Sequence, residues 1–172
     1  SGVGSPITVS PVTNGKTYTC TVHATNANGP GGESTASVTA VPATVPDAPA
    51  APTVAKGNAQ IVVTFGAPAS DGGSPITGYT ATCTSSDGGT PGSTTGTASP
   101  IAVIGLTNAK TYTCTVHASN ASGSGGESTA SATAVPSTVP DAPAAPTVAR
   151  GNAQIVVTFG APASDGGSPI TG

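Results

Sequence analysis

Tyr112-Thr113-Cys114-Thr115-Val116-His117-Ala118 alternates large or apolar residues with polar ones, and Tyr79-Thr80-Ala81-Thr82-Cys83-Thr84 does the same. A period of two puts Tyr112, Cys114, Val116 and Ala118 on one face of an extended strand, and Tyr79, Ala81 and Cys83 on one face of another. Upstream, Gln60-Ile61-Val62-Val63-Thr64-Phe65 predicts a strand with Ile61, Val63 and Phe65 on one side, ending at Gly66-Ala67-Pro68. Ser70-Asp71-Gly72-Gly73-Ser74-Pro75 reads as a turn. Ser85 to Thr97 reads as loop with at most a short edge strand. Ile101 and Val103 mark a strand ending at Gly105-Leu106, and Ser128 to Val135 is expected to supply the last one.

These segments recur. Residues 1–78 align without a gap onto residues 95–172, and 64 of the 78 pairs are identical. Lys16-Thr17-Tyr18-Thr19-Cys20 returns as Lys110-Thr111-Tyr112-Thr113-Cys114, and Pro46-Asp47-Ala48-Pro49 returns as Pro140-Asp141-Ala142-Pro143. A unit of about 90 residues is one small domain. The expected organisation is therefore a complete repeat at 46–137, the second half of a repeat at 1–44 and the first half of another at 140–172. The chain then reads as a segment of a longer array.

Composition bounds the class. Charged residues are 6% of the chain, aromatics 3%, Met and Trp are absent, and Ser plus Thr number 48 of 172. With 24 Gly and 17 Pro, such a chain favours short strands and turns. The apolar share of 35% is low, so each repeat is expected to be marginal unless something staples it. A net charge of −3 offers no basic stripe for nucleic acid, and no apolar run of about 18 residues spans a membrane.

Ile61 to Ser74 (IVVTFGAPASDGGS), the following Pro75-Ile76-Thr77-Gly78-Tyr79, and Gly105-Leu106-Thr107-Asn108-Ala109-Lys110-Thr111-Tyr112 together resemble the fibronectin type III domain, in the form common in secreted bacterial surface proteins. The resemblance covers the whole chain. It implies an all-β fold of tandem seven-stranded antiparallel sandwiches, complete in the middle and partial at both ends. Tyr112 then matches the family's tyrosine corner, with Leu106 plugging the core. Phe65 stands where the family normally carries Trp, so Phe65, Tyr79, Leu106 and Tyr112 are the expected core, a smaller one than usual. The loop Asn120-Ala121-Ser122-Gly123-Ser124-Gly125 matches the one before the last strand.

In that fold the strands carrying Cys83 and Cys114 are neighbours. Setting the two cysteines opposite each other also sets Ala81 against Val116, Tyr79 against Ala118, Thr82 against Thr115 and Thr84 against Thr113, a self-consistent register. Facing residues lie within disulfide range, and a bridge closing that loop stabilises a domain by about 3 to 4 kcal/mol. Two buried thiols acting as small core residues are the alternative. Cys20, the counterpart of Cys114, is expected to have its partner upstream of Ser1.

Signals of chemistry are weak. His23 and His117 fall on the outward face of equivalent strands, with no second ligand at metal spacing. Asp71, Asp87 and Asp165 each precede Gly-Gly, which is first a turn signal and only second a calcium one. Glu33 and Glu127 read as lone carboxylates, leaving glycosidase chemistry without a pair. Arg150-Gly151-Asn152 is not Arg-Gly-Asp, and Asn120-Ala121-Ser122 fits the glycosylation pattern while its counterpart Asn26-Ala27-Asn28 does not. No catalytic residue, cofactor or metal is expected.

Between repeats, residues 42–52 hold Pro42, Pro46, Pro49 and Pro52 and no Gly, an extended and stiff linker. The expected role is structural: an extracellular fibre, filament or stalk whose partners are neighbouring repeats or other copies. Adhesin modules for a cell-surface glycan or protein, and spacers within a secreted polysaccharide hydrolase, are the alternatives. Against glycan binding, Tyr18, Tyr79, Tyr112 and both Phe residues are assigned to cores. The end of one copy is expected to pack against the start of the next, covering Ile155, Val157 and Phe159.

Overall fold

A computed structural model describes residues 2 and 4–172. Its strands are β1 (Thr25–Asn26), β2 (Gly29–Pro30), β3 (Thr53–Gly57), β4 (Gln60–Thr64), β5 (Gly78–Ser85), β6 (Gly92–Gly96), β7 (Ile101–Ile104), β8 (Tyr112–Asn120), β9 (Gly123–Ser124), β10 (Thr147–Gly151) and β11 (Gln154–Thr158). In the central repeat, a three-stranded sheet β3-β4-β7 faces a four-stranded sheet β6-β5-β8-β9, all antiparallel. These are the two layers of a β-sandwich. The turns between strands follow from Gly and Asn: the β3–β4 hairpin closes over Asn58-Ala59, with Ala59 at φ 51°.

Alternation decides what faces inward. Ile61 and Val63 of β4, Ile101 and Val103 of β7, Ala81 and Cys83 of β5, and Tyr112, Cys114 and Val116 of β8 are buried, with Leu106 closing one end. Each buried Val, Ile or Leu contributes about 1.5 to 3 kcal/mol, so a core built from so few side chains leaves a small margin against chain entropy. The β5–β8 register sets Cys83 against Cys114, Ala81 against Val116, Tyr79 against Ala118, Thr82 against Thr115 and Thr84 against Thr113. Tyr79 and Phe65 are half-buried, packed against the edge of the core with ring centroids 4.9 Å apart. Phe65 is thus not enclosed between the sheets as the family's Trp position implies. It follows the last β4 pair and packs beside Tyr79 against the edge of the core, so part of its ring stays exposed.

Gly92–Gly96, inside the stretch read as loop with a short edge strand allowed, is that edge strand, paired with β5 from Tyr79–Gly96 to Cys83–Gly92. One segment differs from the sequence reading. Ser128 to Val135, read as the closing strand, follows β8 without the pairing of a regular strand. The amides of Ser128, Ser131 and Ala134 donate to the carbonyls of Val116, Cys114 and Tyr112 at 2.8–2.9 Å, three residues of one chain for every two of the other. The extra residue per step carries the next carbonyl out of register. Serine hydroxyls take its place: Ser128 Oγ accepts the Val116 amide and Ser131 Oγ the Cys114 amide, each at 3.0 Å.

The sequence repeat is also a structural one. The β10–β11 hairpin pairs Thr147–Thr158 through Gly151–Gln154, as β3–β4 pairs Thr53–Thr64 through Gly57–Gln60. Near the N-terminus the amides of Ser34, Ser37 and Ala40 donate to the carbonyls of Val22, Cys20 and Tyr18, the same three-for-two step. Surroundings differ: Ile155 is 70% exposed where its counterpart Ile61 is fully buried, because no second sheet covers β11 among the described residues.

Candidate functional site

The covalent feature of the central repeat is the Cys83–Cys114 disulfide, with an S–S distance of 2.02 Å and a Cα–Cα distance of 4.1 Å. Alternation brings both cysteines inward at directly opposed positions of β5 and β8, the middle strands of the larger sheet. Both half-cystines are buried in the core cluster, beside Ala81 and Tyr112. Cys20, at the position of Cys114, is free and exposed.

Leu106 and Tyr112 lie at one end of the sandwich. The Tyr112 hydroxyl accepts the Thr107 amide at 2.9 Å and donates to the Thr90 carbonyl at 2.8 Å, tying the turn before β8 to the approach to β6. Tyr18 accepts the Thr13 amide at 2.9 Å in the same way. Nearby, the Asp87 carboxylate accepts the Ser85 hydroxyl at 2.7 Å and the Thr111 amide at 3.0 Å, and Lys110 Nζ donates to the Asp87 carbonyl at 3.0 Å. The Ser85 hydroxyl, then the Thr111 amide and the Lys110 charge, hold the Asp87 carboxyl below its ordinary value.

The carboxylates read as solitary have partners. His117 Nδ1 is 2.6 Å from Glu127 Oε1, and His23 Nδ1 is 2.6 Å from Glu33 Oε1. Ten residues separate each pair; the tight β8–β9 hairpin brings His117 and Glu127 side by side, and the β1–β2 hairpin does so for His23 and Glu33. The Thr21 hydroxyl and then His23 hold the Glu33 carboxyl below its ordinary value. A histidine–carboxylate pair is one part of a hydrolytic relay, which also needs a nucleophile on the other ring nitrogen. Among the described residues that nitrogen has no hydroxyl partner, and the pair sits on an open sheet face, where such contacts contribute about 0 to 1 kcal/mol.

The Asp-Gly-Gly turns use their carboxylates locally. Asp71 Oδ1 accepts the Gly73 amide and Asp165 Oδ1 the Gly167 amide, both at 2.8 Å. Among the described residues, no three His, Cys, Asp or Glu side chains gather as a metal would require. Among the described residues, no helix is long and apolar enough to cross a membrane.

The sequence model of the fibronectin type III domain matches residues 47–134, and the chain belongs to that family. Among solved structures it is similar to domains A168–A170 of titin, at 28% identity and a TM-score of 0.51, over 54% of this chain and 32% of that one. It is also similar to the titin kinase with its flanking domains, at 28% identity and a TM-score of 0.50, over 55% of this chain and 18% of that one. The chain thus spans a third or less of the length of either structure. No curated protein sequence matches it.

Proposed function

We propose that this chain is a structural segment of an extracellular fibre, filament or stalk, built from near-identical fibronectin type III repeats of a secreted bacterial surface protein. In this reading 46–137 is one complete repeat, 1–44 the second half of the repeat before it and 140–172 the first half of the repeat after it. The observation that carries it is the recurrence of structure with the sequence: β10–β11 repeats the β3–β4 register, and the three-for-two ladder at Ser34, Ser37 and Ala40 repeats that at Ser128, Ser131 and Ala134. Selection for a site would need one distinctive surface. Selection for a lattice or a stalk needs every unit to be alike.

The disulfide supports an oxidising, extracellular setting. The repeats carry no catalysis of their own, and the His117–Glu127 pair braces the β8–β9 hairpin. In the fibre, the apolar face of Ile155, Val157 and Phe159 is covered by a Tyr-Thr-Cys-Thr-Val strand, from further along the chain or from a neighbouring copy, as Tyr112 to Val116 covers Ile61 and Val63. Electron microscopy of the native material tests the proposal. Regular filaments or rods with a rise of about 35 to 45 Å per domain support it, given strands rising about 3.3 Å per residue. Isolated globular particles, or a carboxylate-paired catalytic domain attached to the repeats, would replace it with the spacer reading.

A further inference from the structure

The turn after β4 is used twice in this chain, and both times it holds the linker that precedes its repeat. The Thr44 amide donates to the Gly72 carbonyl at 2.9 Å and the Asp47 amide to the Ser70 carbonyl at 3.0 Å. One period later, Thr138 donates to Gly166 at 2.8 Å and Asp141 to Ser164 at 3.0 Å. Each turn is folded internally by the same two bonds: Ser70 Oγ accepts the Gly72 amide and Asp71 the Gly73 amide, and Ser164 and Asp165 do likewise for Gly166 and Gly167.

The glycines fit this contact and little else would. Gly72 and Gly73 have φ of 74° and 87°, and their counterparts Gly166 and Gly167 have 72° and 85°. A Cβ on Gly72 would run into the carbonyl oxygens of Thr44 and Val45, and one on Gly73 into the amide nitrogen of Gly15 in the preceding repeat. At the second junction, Gly166 meets Thr138 and Val139, and Gly167 meets the amide of Ala109. By contrast, Gly88 has a φ of 88° yet faces open space.

Two further bonds close the clamp. Buried Asn120, from the end of β8, gives its Nδ2 to the Thr44 carbonyl at 2.8 Å and to the Asp71 carbonyl at 2.7 Å, locking turn and linker to one side chain. On the other side, the Gly15 amide donates to the Pro42 carbonyl at 2.9 Å, as Ala109 does to Pro136, fixing the start of each linker to the repeat it leaves. Only Ala43 lies between the residue held by one repeat and the residue held by the next. Pro46, Pro49 and Pro52, three apart in an extended chain, are buried against the following repeat.

We infer that the Ser70–Gly73 turn is a docking face for the preceding repeat, receiving its linker and its Asn14–Gly15 corner, so that successive repeats form a rod with no hinge. This rests on the stalk reading and sharpens it: the unit of stiffness is the junction.

Amide hydrogen exchange on the 172-residue chain tests it, because linker amides in a hinged string of domains exchange at free-peptide rates. Thr44 and Asp47 are expected to exchange at least about 100-fold more slowly than a free peptide. Gly72→Asn should cut that protection at Thr44 tenfold or more while Tyr112 and Val116 stay protected. Gly88→Asn, with the same backbone requirement and no junction, should leave Thr44 unchanged. Asn120→Asp, which keeps the side-chain shape and removes both donors, should act as Gly72→Asn does. Free-peptide exchange at Thr44 and Asp47 beside a protected core would overturn the inference while leaving a flexible stalk possible. Protected linkers in a protein that forms no filament would overturn the stalk reading and leave the junction standing.

Discussion

Ser131 meets Cys114 through both of its polar groups: its amide donates to the Cys114 carbonyl at 2.8 Å and its hydroxyl oxygen accepts the Cys114 amide at 3.0 Å. One serine thus exchanges both bonds with the buried centre of β8, as one residue of a hydrogen-bonded pair does in an ordinary antiparallel ladder, with its hydroxyl oxygen standing in for its backbone carbonyl. The hydroxyl hydrogen is then given to the Ala132 carbonyl at 2.7 Å, so no polar atom of the group is left over.

Ser131→Ala is therefore expected to cost about 1 to 3 kcal/mol, the penalty of a buried amide left without an acceptor. An ordinary surface Ser→Ala change stays within about 0.5 kcal/mol. Urea denaturation of the two proteins measures the difference. A loss of under 0.5 kcal/mol would mean that a water or another group reaches the Cys114 amide.

The disulfide closes a loop with a sequence separation of 31. In the chain-entropy description, replacing Cys83 and Cys114 together by Ala should destabilise the central repeat by about 3 to 4 kcal/mol. In a domain of this size that lowers the melting temperature by well over 10 °C. A calorimetric melt that does not move would show the sulfurs acting only as packing.

Asp87 gives a pH dependence with a defined sign. Its carboxyl is held below its ordinary 3.8 in the folded chain, so the unfolded chain takes up the proton first. The stabilisation is complete above pH 3.8 and is lost as the pH falls through the lower, folded value. Asp87→Ala should flatten the stability profile below about pH 4 and leave its shape unchanged between pH 5 and 8. A variant that loses stability with the wild-type slope in acid would place the titration elsewhere.

Ala59 sits at φ 51° in the β3–β4 turn, a left-handed conformation that disfavours a Cβ by about 1 to 2 kcal/mol. Ala59→Gly removes that strain and returns part of the gain as unfolded-chain entropy. A net stabilisation of about 0.5 to 1 kcal/mol is expected. Destabilisation would mean that contacts of the methyl group outweigh the backbone.

What could be read from the sequence follows period two. Tyr79-Ala81-Cys83 and Tyr112-Cys114-Val116 each commit a face, and a slip of one residue would turn both sets toward water, so the register was legible. β6 was legible only as an allowed edge strand without bounds or register, because Gly-Ser-Thr-Thr-Gly has no apolar member to mark a face. Ser128, Ser131 and Ala134 recur every third residue, a spacing that does not match a strand's period of two. It becomes intelligible only once β8 lies beside it. The His117–Glu127 pair was hidden for a related reason: it depends on a hairpin closed by Gly123, whose φ is 130°. The Asp71 and Asp165 turns were legible as turns, but what their glycines touch is the linker and corner of the preceding repeat.

Tension along a rod of such repeats would follow the covalent path, and in the central repeat that path has a short cut. Force arriving at Cys83 crosses to Cys114 through sulfur and bypasses everything between them. If a repeat were pulled open, the enclosed stretch, about 100 Å of contour at roughly 3.3 to 3.6 Å per residue, would stay slack while the cystine held. The bridge is thus a limit on extensibility as well as a staple, and a thiol reductant would both weaken the repeat at rest and lengthen such a rod under load.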